Sequence, residues 1–142
     1  MAATFVDANV FVYAFLKTKR KLQPQEESIK KAAKEIIARI NSGEEEAVTS
    51  VVHFCGVCNI LENYLPVADT LELEKALLFT DSILIKQVSD EDYIKALTIA
   101  EDQQIGVNDA LAYFLMKELG LNKIYSFDTD FDCFKDIDRL TK

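Results

Sequence analysis

Three aspartates fall within five residues in the stretch Tyr125-Ser-Phe-Asp-Thr-Asp-Phe-Asp132. Carboxylates that close repel one another, so the crowding is tolerable only where open water or a cation screens it. Two further acids stand at related places. Asp7 closes the short apolar run Ala3-Thr-Phe-Val6, and Asp109 opens the apolar helical pattern of Asn108-Asp-Ala-Leu-Ala-Tyr-Phe114. Hard carboxylate oxygens suit Mg²⁺ or Mn²⁺. Two such ions about 4 Å apart can activate water and stabilise the leaving oxygen of a phosphodiester. Any one of these aspartates is equally well explained as a helix cap or turn residue. As a set, at compatible strand ends, they point to a metal site.

The elements that must position them are legible in outline. The N-terminal run to Asp7 has a buried-strand pattern, while Ala8 to Leu16 is apolar and fits strand or helix by periodicity alone. The polar stretch from Lys17 to Glu27 reads as a loop or a loose helix entry. Residues 28–43 predict an amphipathic helix with Ile29, Ala33, Ile36, Ile37 and Ile40 on one face and Gly43 as its stop. A short strand ends at Thr49 and Ser50, natural N-caps for the helix of residues 51–65, which Pro66 ends. Asp69 with Glu72 predicts the cap of a next helix over 70–82, followed by a strand over 83–88. Ser89 with Asp92 caps a helix over 90–104, and a helix from Asn108 ends at Gly120. Asn122 to Phe127 is the last clear strand.

Strands alternate with helices, which predicts an α/β domain with a parallel sheet over residues 1–142. Ligands of such sheets bind beyond the carboxyl ends of the strands. Asp7 and Asp128 lie at the ends of the first and last predicted strands, and the fold can bring Asp109 to the same edge.

Composition bounds the rest. The chain has 142 residues, 49% of them apolar, with four Gly and two Pro, which fits a single packed domain. No apolar run approaches the roughly 20 residues of a membrane span, and residues 1–10 lack a signal-peptide pattern. Three cysteines suit a reducing cytoplasm better than a disulfide framework. The net charge of −8 argues against nucleic acid, but residues 17–39 carry a local net charge of +5. That segment is either a solvated helix face or a phosphate-contacting surface, with Lys17, Lys19, Arg20 and Lys21 as the candidate contacts.

With these residues in order, the sequence resembles the PIN domain family. Phe5-Val-Asp-Ala-Asn-Val-Phe-Val-Tyr-Ala-Phe15 is similar to that family's first strand, Asp-x-Asn/Ser and following helix. Residues 48–62 resemble its second-motif helix, and residues 105–132 its third and fourth motifs. The last follows the pattern Thr-x-Asp-x-Asp-Phe, with Ser126 in the Thr place, then Asp128, Asp130 and Phe131. The resemblance implies a three-layer α/β/α sandwich on a parallel, five-stranded sheet. It also implies Mg²⁺- or Mn²⁺-dependent cleavage of RNA of the VapC kind, with an antitoxin protein and a homodimer as partners. It matches Asp7, Asp109 and Asp128 to metal-binding acids, Asp130 to a frequent additional acid, and Asn9 and Ser126 to supporting polar positions.

One position departs from the pattern. The family's second-motif helix carries a glutamate about two turns after the strand-end Ser/Thr, and counting from Ser50 that place is Gly56. Glu62, six residues on, is rotated by about 600°, or about 120° off the face. A second reading therefore stands beside the nuclease: a catalytically degenerate PIN-like domain that binds RNA or protein. Other motifs carry less. Cys55-x-x-Cys58 lacks a second pair and reads as core packing, and His53 reads as structural. Asp128-Thr-Asp130 cannot open a haloacid-dehalogenase-like fold with ten residues after Asp132, and no phosphate-binding glycine motif is present.

Overall fold

The computed structural model describes residues 3–17 and 20–142. Strand β1 (Thr4–Val6) leads into helix α1 (Ala8–Phe15), and α2 (Pro24–Asn41) returns to β2 (Ala47–Ser50). Helices α3 (Val51–Tyr64) and α4 (Val67–Leu78) precede β3 (Ile83–Lys86). Helices α5 (Asp90–Gln103) and α6 (Val107–Leu119) precede β4 (Lys123–Tyr125), and a 3₁₀ turn over Thr129–Cys133 leads to β5 (Asp138–Leu140). The five strands form one sheet in the order β3-β2-β1-β4-β5, every pairing parallel.

Strand alternation divides the interior into two cores. Val6, Ala47, Ile83 and Tyr125 face α1, α2 and the far halves of α3 and α4, where Val10, Ile36, Ile40 and Leu61 are buried. Phe5, Val48 and Ile124 face α5 and α6, with Ala96, Leu111, Leu115 and Met116. Helices thus cover both faces of the sheet, giving the expected three layers. The central strands β1 and β2 are buried throughout, as parallel strands with both faces covered must be.

Most predicted boundaries follow from caps. Ser50 caps α3 by accepting from the His53 N–H, and Ser89 with Asp92 closes a capping box on α5. Gly43 and Gly120 take the left-handed conformation, φ 83° and 69°, that ends α2 and α6. Three expectations are corrected. Helix α2 begins at Pro24 rather than Ser28, because proline is at ease in a first turn and Glu26 reaches back to the Gln23 N–H. Helix α4 begins at Val67, so Asp69 lies in its first turn and is not its cap. The strand before Asp128 is not the last, since β5 follows it at the sheet edge. Its sequence, Asp138-Arg-Leu140, has no apolar run, because an edge strand is held by backbone pairing to one neighbour.

The sheet order reverses between β1 and β4: successive strands run outward on one side of β1 and then on the other. This is the switch point where open parallel sheets form a crevice beyond their carboxyl ends. The 3₁₀ turn that closes the crevice is anchored by Phe131, which is 1% exposed and packs in the α5–α6 core. Phe131→Ala is expected to lower unfolding free energy by about 3–5 kcal/mol in urea titration.

Candidate active site

Asp7 is the first residue past β1. Its extended backbone (φ −71°, ψ 151°) makes it the N-cap of α1, and its carboxylate accepts from the Ala8 N–H at 2.9 Å. The other carboxylate oxygen accepts from the Ser126 hydroxyl at 2.7 Å. Ser126 is the first residue past β4, the strand paired with β1, so parallel pairing itself brings the two together. The same hydroxyl accepts from the Asp128 N–H at 3.0 Å, and Asp128 in turn accepts from the Asp130 N–H at 2.9 Å. Asn9, the second residue of α1, accepts from the Phe127 N–H at 3.4 Å. A relay of short polar bonds thus fixes the loop after β4 to the start of α1.

Asp109 arrives from the first turn of α6. Oxygens of Asp109, Asp128 and Asp130 lie within 4.8 Å of one another. Asp7 borders the same cleft but is 6% exposed and holds its oxygens on Ser126 and Ala8. Burial, followed by the charges of Asp7 and Asp128, pushes the Asp109 carboxyl up to about 7. Burial also raises Asp7, against the lowering effect of its bond from Ser126. Arg139 acts on Asp128 through space, but its guanidinium is taken up by Asp132 and the Ser126 carbonyl. Three convergent hard oxygens, one of them on a carboxyl whose pKa burial and neighbouring acids raise, fit a divalent cation such as Mg²⁺ or Mn²⁺.

His53, the only histidine, is built into this edge. Its Nε2 lies 2.9 Å from the Asn108 carbonyl, an oxygen that can only accept, so Nε2 carries the hydrogen. Nδ1 then accepts from the Ser50 hydroxyl at 2.5 Å. Burial lowers its affinity for a second proton, so the ring is neutral and ties β2 and α3 to the residue preceding Asp109. The structural reading of His53 stands, with a specific attachment that composition could not show.

Gly56 borders the cleft one turn beyond His53, on the same wall as Val52 and Ile60. Across from it, α1 presents Asn9, Val12 and Tyr13, and the space between measures about 380 Å³. A Cβ added at Gly56 would meet nothing within 4 Å beyond its own stretch of helix, so position 56 opens onto free space. The spacings 9-12-13 and 52-53-56-60 are helical faces visible in the sequence, but only the pairing of α1 with α3 shows that they oppose each other.

The basic segment is less free than its composition suggests. Arg20 forks Glu26, at 3.0 and 2.6 Å, and Arg39 bonds Glu45 and the Tyr125 hydroxyl. Lys30 donates to the Tyr13 and Leu16 carbonyls, satisfying the end of α1. Lys17 and Lys21 are exposed, and Lys19 lies outside the described residues. Of the two cysteines read as core, Cys58 is buried and Cys55 is exposed. Asp132 is exposed and paired with Arg139, while Asp128 rather than Asp132 caps the 3₁₀ turn.

The PIN domain family model matches residues 4–140, and the chain belongs to that family. Solved structures share the fold. One is VapC20 of Mycobacterium tuberculosis, described as a toxin that cleaves the sarcin–ricin loop: TM-score 0.70, 17% identity, covering 95% of this chain and 97% of that one. Another is a toxin–antitoxin complex from Klebsiella pneumoniae: TM-score 0.68, 13% identity, covering 96% of each chain. No curated protein sequence matches the chain at a significant level.

The crowded carboxylates give a pH signature that needs no catalysis. Asp109 titrates near 3.8 when unfolded and at about 7 when folded, so between these values the folded chain holds a proton that the unfolded chain has released. Its contribution to stability is therefore fully present below the lower value and is lost as pH rises through the upper one. In EDTA, Asp109→Asn is expected to raise Tm at pH 8 and to change it far less at pH 4. Added Mn²⁺ should raise the Tm of the wild type at pH 8 and leave that of the variant nearly unmoved. Calorimetry at both pH values checks the pair.

Proposed function

We propose that this chain is a metal-dependent endoribonuclease of the VapC kind. The observation that carries this reading is the convergence of Asp109, Asp128 and Asp130, with Asp7 behind them, at the β1–β4 crevice of a PIN domain. Asp109, Asp128 and Asp130 would hold Mg²⁺ or Mn²⁺, the Asp109 carboxyl giving up its proton to do so. Such an ion polarises a phosphate oxygen and lowers the pKa of water at the scissile bond. Asp7 supplies further negative charge to the same edge and is kept in place by Ser126, while Asn9 fixes the loop that carries Asp128. Lys17 and Lys21, both exposed, would meet backbone phosphates, with Lys19 and Arg20 in the same sequence segment. An antitoxin partner, a homodimer and a cytoplasmic setting go with this reading, by likeness to the toxin folds. No helix among the described residues is long and apolar enough to cross a membrane.

The test is cleavage of labelled single-stranded RNA in Mg²⁺, Mn²⁺ or EDTA, with Asp109→Asn beside the wild type. Cutting in Mn²⁺, none in EDTA and a loss of at least about a hundredfold in the variant, equal to roughly 2.7 kcal/mol of transition-state stabilisation, is expected. Equal cutting by the variant would remove Asp109 from the site.

Gly56 favours a second reading, a degenerate PIN domain that binds without cutting. Gly56→Glu separates the two. A rise from no cleavage to measurable cleavage would mark the wild type as degenerate, whereas unchanged or lowered cleavage relative to an already active wild type would show the glutamate to be dispensable.

A further inference from the structure

The cleft has two unlike ends. At one end stand Asp7, Asp109 and Asp128. At the other, α1 presents Val12 and Tyr13, and α3 presents Val52, Gly56 and Ile60, with no charged side chain among them. A cleft of this kind fits a ligand with a hard anionic group, met through a cation, joined to a flat uncharged ring.

We propose that the Gly56 side of the cleft is a subsite for one unpaired nucleobase of the RNA strand, stacked on Tyr13, next to the phosphate at the carboxylate end. This rests on the nuclease reading above and names the part of the substrate that the departure at Gly56 admits.

The geometry points there in three ways. Gly56 leaves open space facing the cleft, where a Cβ would meet nothing within 4 Å, although glycine in the middle of a helix is unfavourable. A longer side chain would fill that space. Tyr13 is 39% exposed yet oriented, its ring edge-on to Phe127 at 5.6 Å and 88°, while the Phe127 N–H is held by Asn9. An aromatic ring fixed in place but open to solvent is a stacking platform, and stacking tolerates any base. Tyr13 also borders a second hollow lined by Leu16, Arg20, Leu22, Lys30 and Glu26, the last paired with Arg20. A strand passing from the carboxylates over Tyr13 therefore arrives at the basic segment.

A cationic peptide is the competing occupant, since the acids would attract it. The basic segment argues against it: Lys17, Lys30 and Lys34 are close enough that Lys17 and Lys34 lower the proton affinity of Lys30, after burial. They would repel a second positive chain and attract a polyanion. A paired duplex is also excluded, because a base must leave its partner to enter a cleft between two helices.

The test uses a short single-stranded oligoribonucleotide containing 2-aminopurine, titrated in Ca²⁺ under conditions where no cutting is seen. Stacking quenches its fluorescence. Quenching is expected with wild type, Tyr13→Phe and Gly56→Ala. Tyr13→Ala should bind about tenfold more weakly, the scale of one base on an aromatic ring. Gly56→Leu should lose the quenching while its Tm equals or exceeds that of wild type, since leucine is the better helix former. Wild-type affinity and quenching in both Tyr13→Ala and Gly56→Leu would overturn the subsite. So would cleavage in Mn²⁺ that Gly56→Leu leaves unchanged, and that outcome would leave the nuclease standing. Quenching that both variants lose, with no wild-type cleavage of any RNA, would sink the nuclease and keep the subsite. A nucleoside 5′-monophosphate that binds as tightly as the strand would assign the cleft to a free nucleotide and overturn RNA as its occupant.

Discussion

Carboxylates held within a few ångströms of one another in a partly buried cleft raise the free energy of the folded chain, and the architecture around them is organised to hold them there. The parallel pairing of β1 with β4 is the contact on which this depends. It delivers Asp7 and Ser126 side by side, one residue past each strand, and the hydroxyl of Ser126 then meets both Asp7 and the N–H of Asp128. Asp128 passes the constraint on to Asp130, and Phe131, buried on the opposite face of the sheet, fixes the turn in the hydrophobic core. The repulsion is thus opposed mainly by backbone pairing and apolar burial, with Arg139 acting on Asp128 only through space while its guanidinium bonds Asp132 and the Ser126 carbonyl. The strain gathers on Asp109, whose carboxyl is raised to about 7, first by burial and then by the charges of Asp7 and Asp128.

How much of this could be seen in the sequence follows from which interactions are local. Caps and helix faces were legible because they act within four residues. The Ser89–Asp92 box, the Ser50 cap, the buried face from Ala33 to Ile40 and the stops at Gly43 and Gly120 all stand where sequence put them. The alternation of strands and helices carried the fold class, and the four motifs in order carried the family. The edge strand β5 was not legible, because Asp138-Arg-Leu140 pairs through its backbone and shows no apolar pattern. The start of α4 was misplaced because Asp69 is a plausible cap, while Pro66 already fixes the chain one residue before the helix.

The site was legible by residue type and less so by arrangement. Asp7, Asp109, Asp128 and Asp130 do meet at one edge, but Asp130 shares the converging set while Asp7 stands behind it, bonded to Ser126. That difference depends on where the 3₁₀ turn after Asp128 points, which the two-residue spacing of Asp128 and Asp130 does not reveal. The basic segment misleads in the opposite sense. Its charges are close in sequence, yet Arg20, Lys30 and Arg39 are engaged with Glu26, helix carbonyls and Glu45, so a count of positive residues overstates the surface left for phosphate.

The wall formed by α3 presents a glycine, not a carboxylate, to the cleft at position 56. A glutamate there would have added a further negative charge to an edge that already protonates Asp109, and a cation would have been required to offset it. With Gly56 the electrostatic burden is smaller and the cleft is wider, at the cost of helix stability in α3. His53, one turn earlier, compensates structurally: neutral and buried, it joins Ser50 to the Asn108 carbonyl and so holds the first turn of α6, where Asp109 sits, against β2 and α3. Position 56 is thereby freed from both charge and attachment. Helix α3 still braces the acids through His53, while its open face at Gly56 presents room and apolar surface to whatever enters beside them.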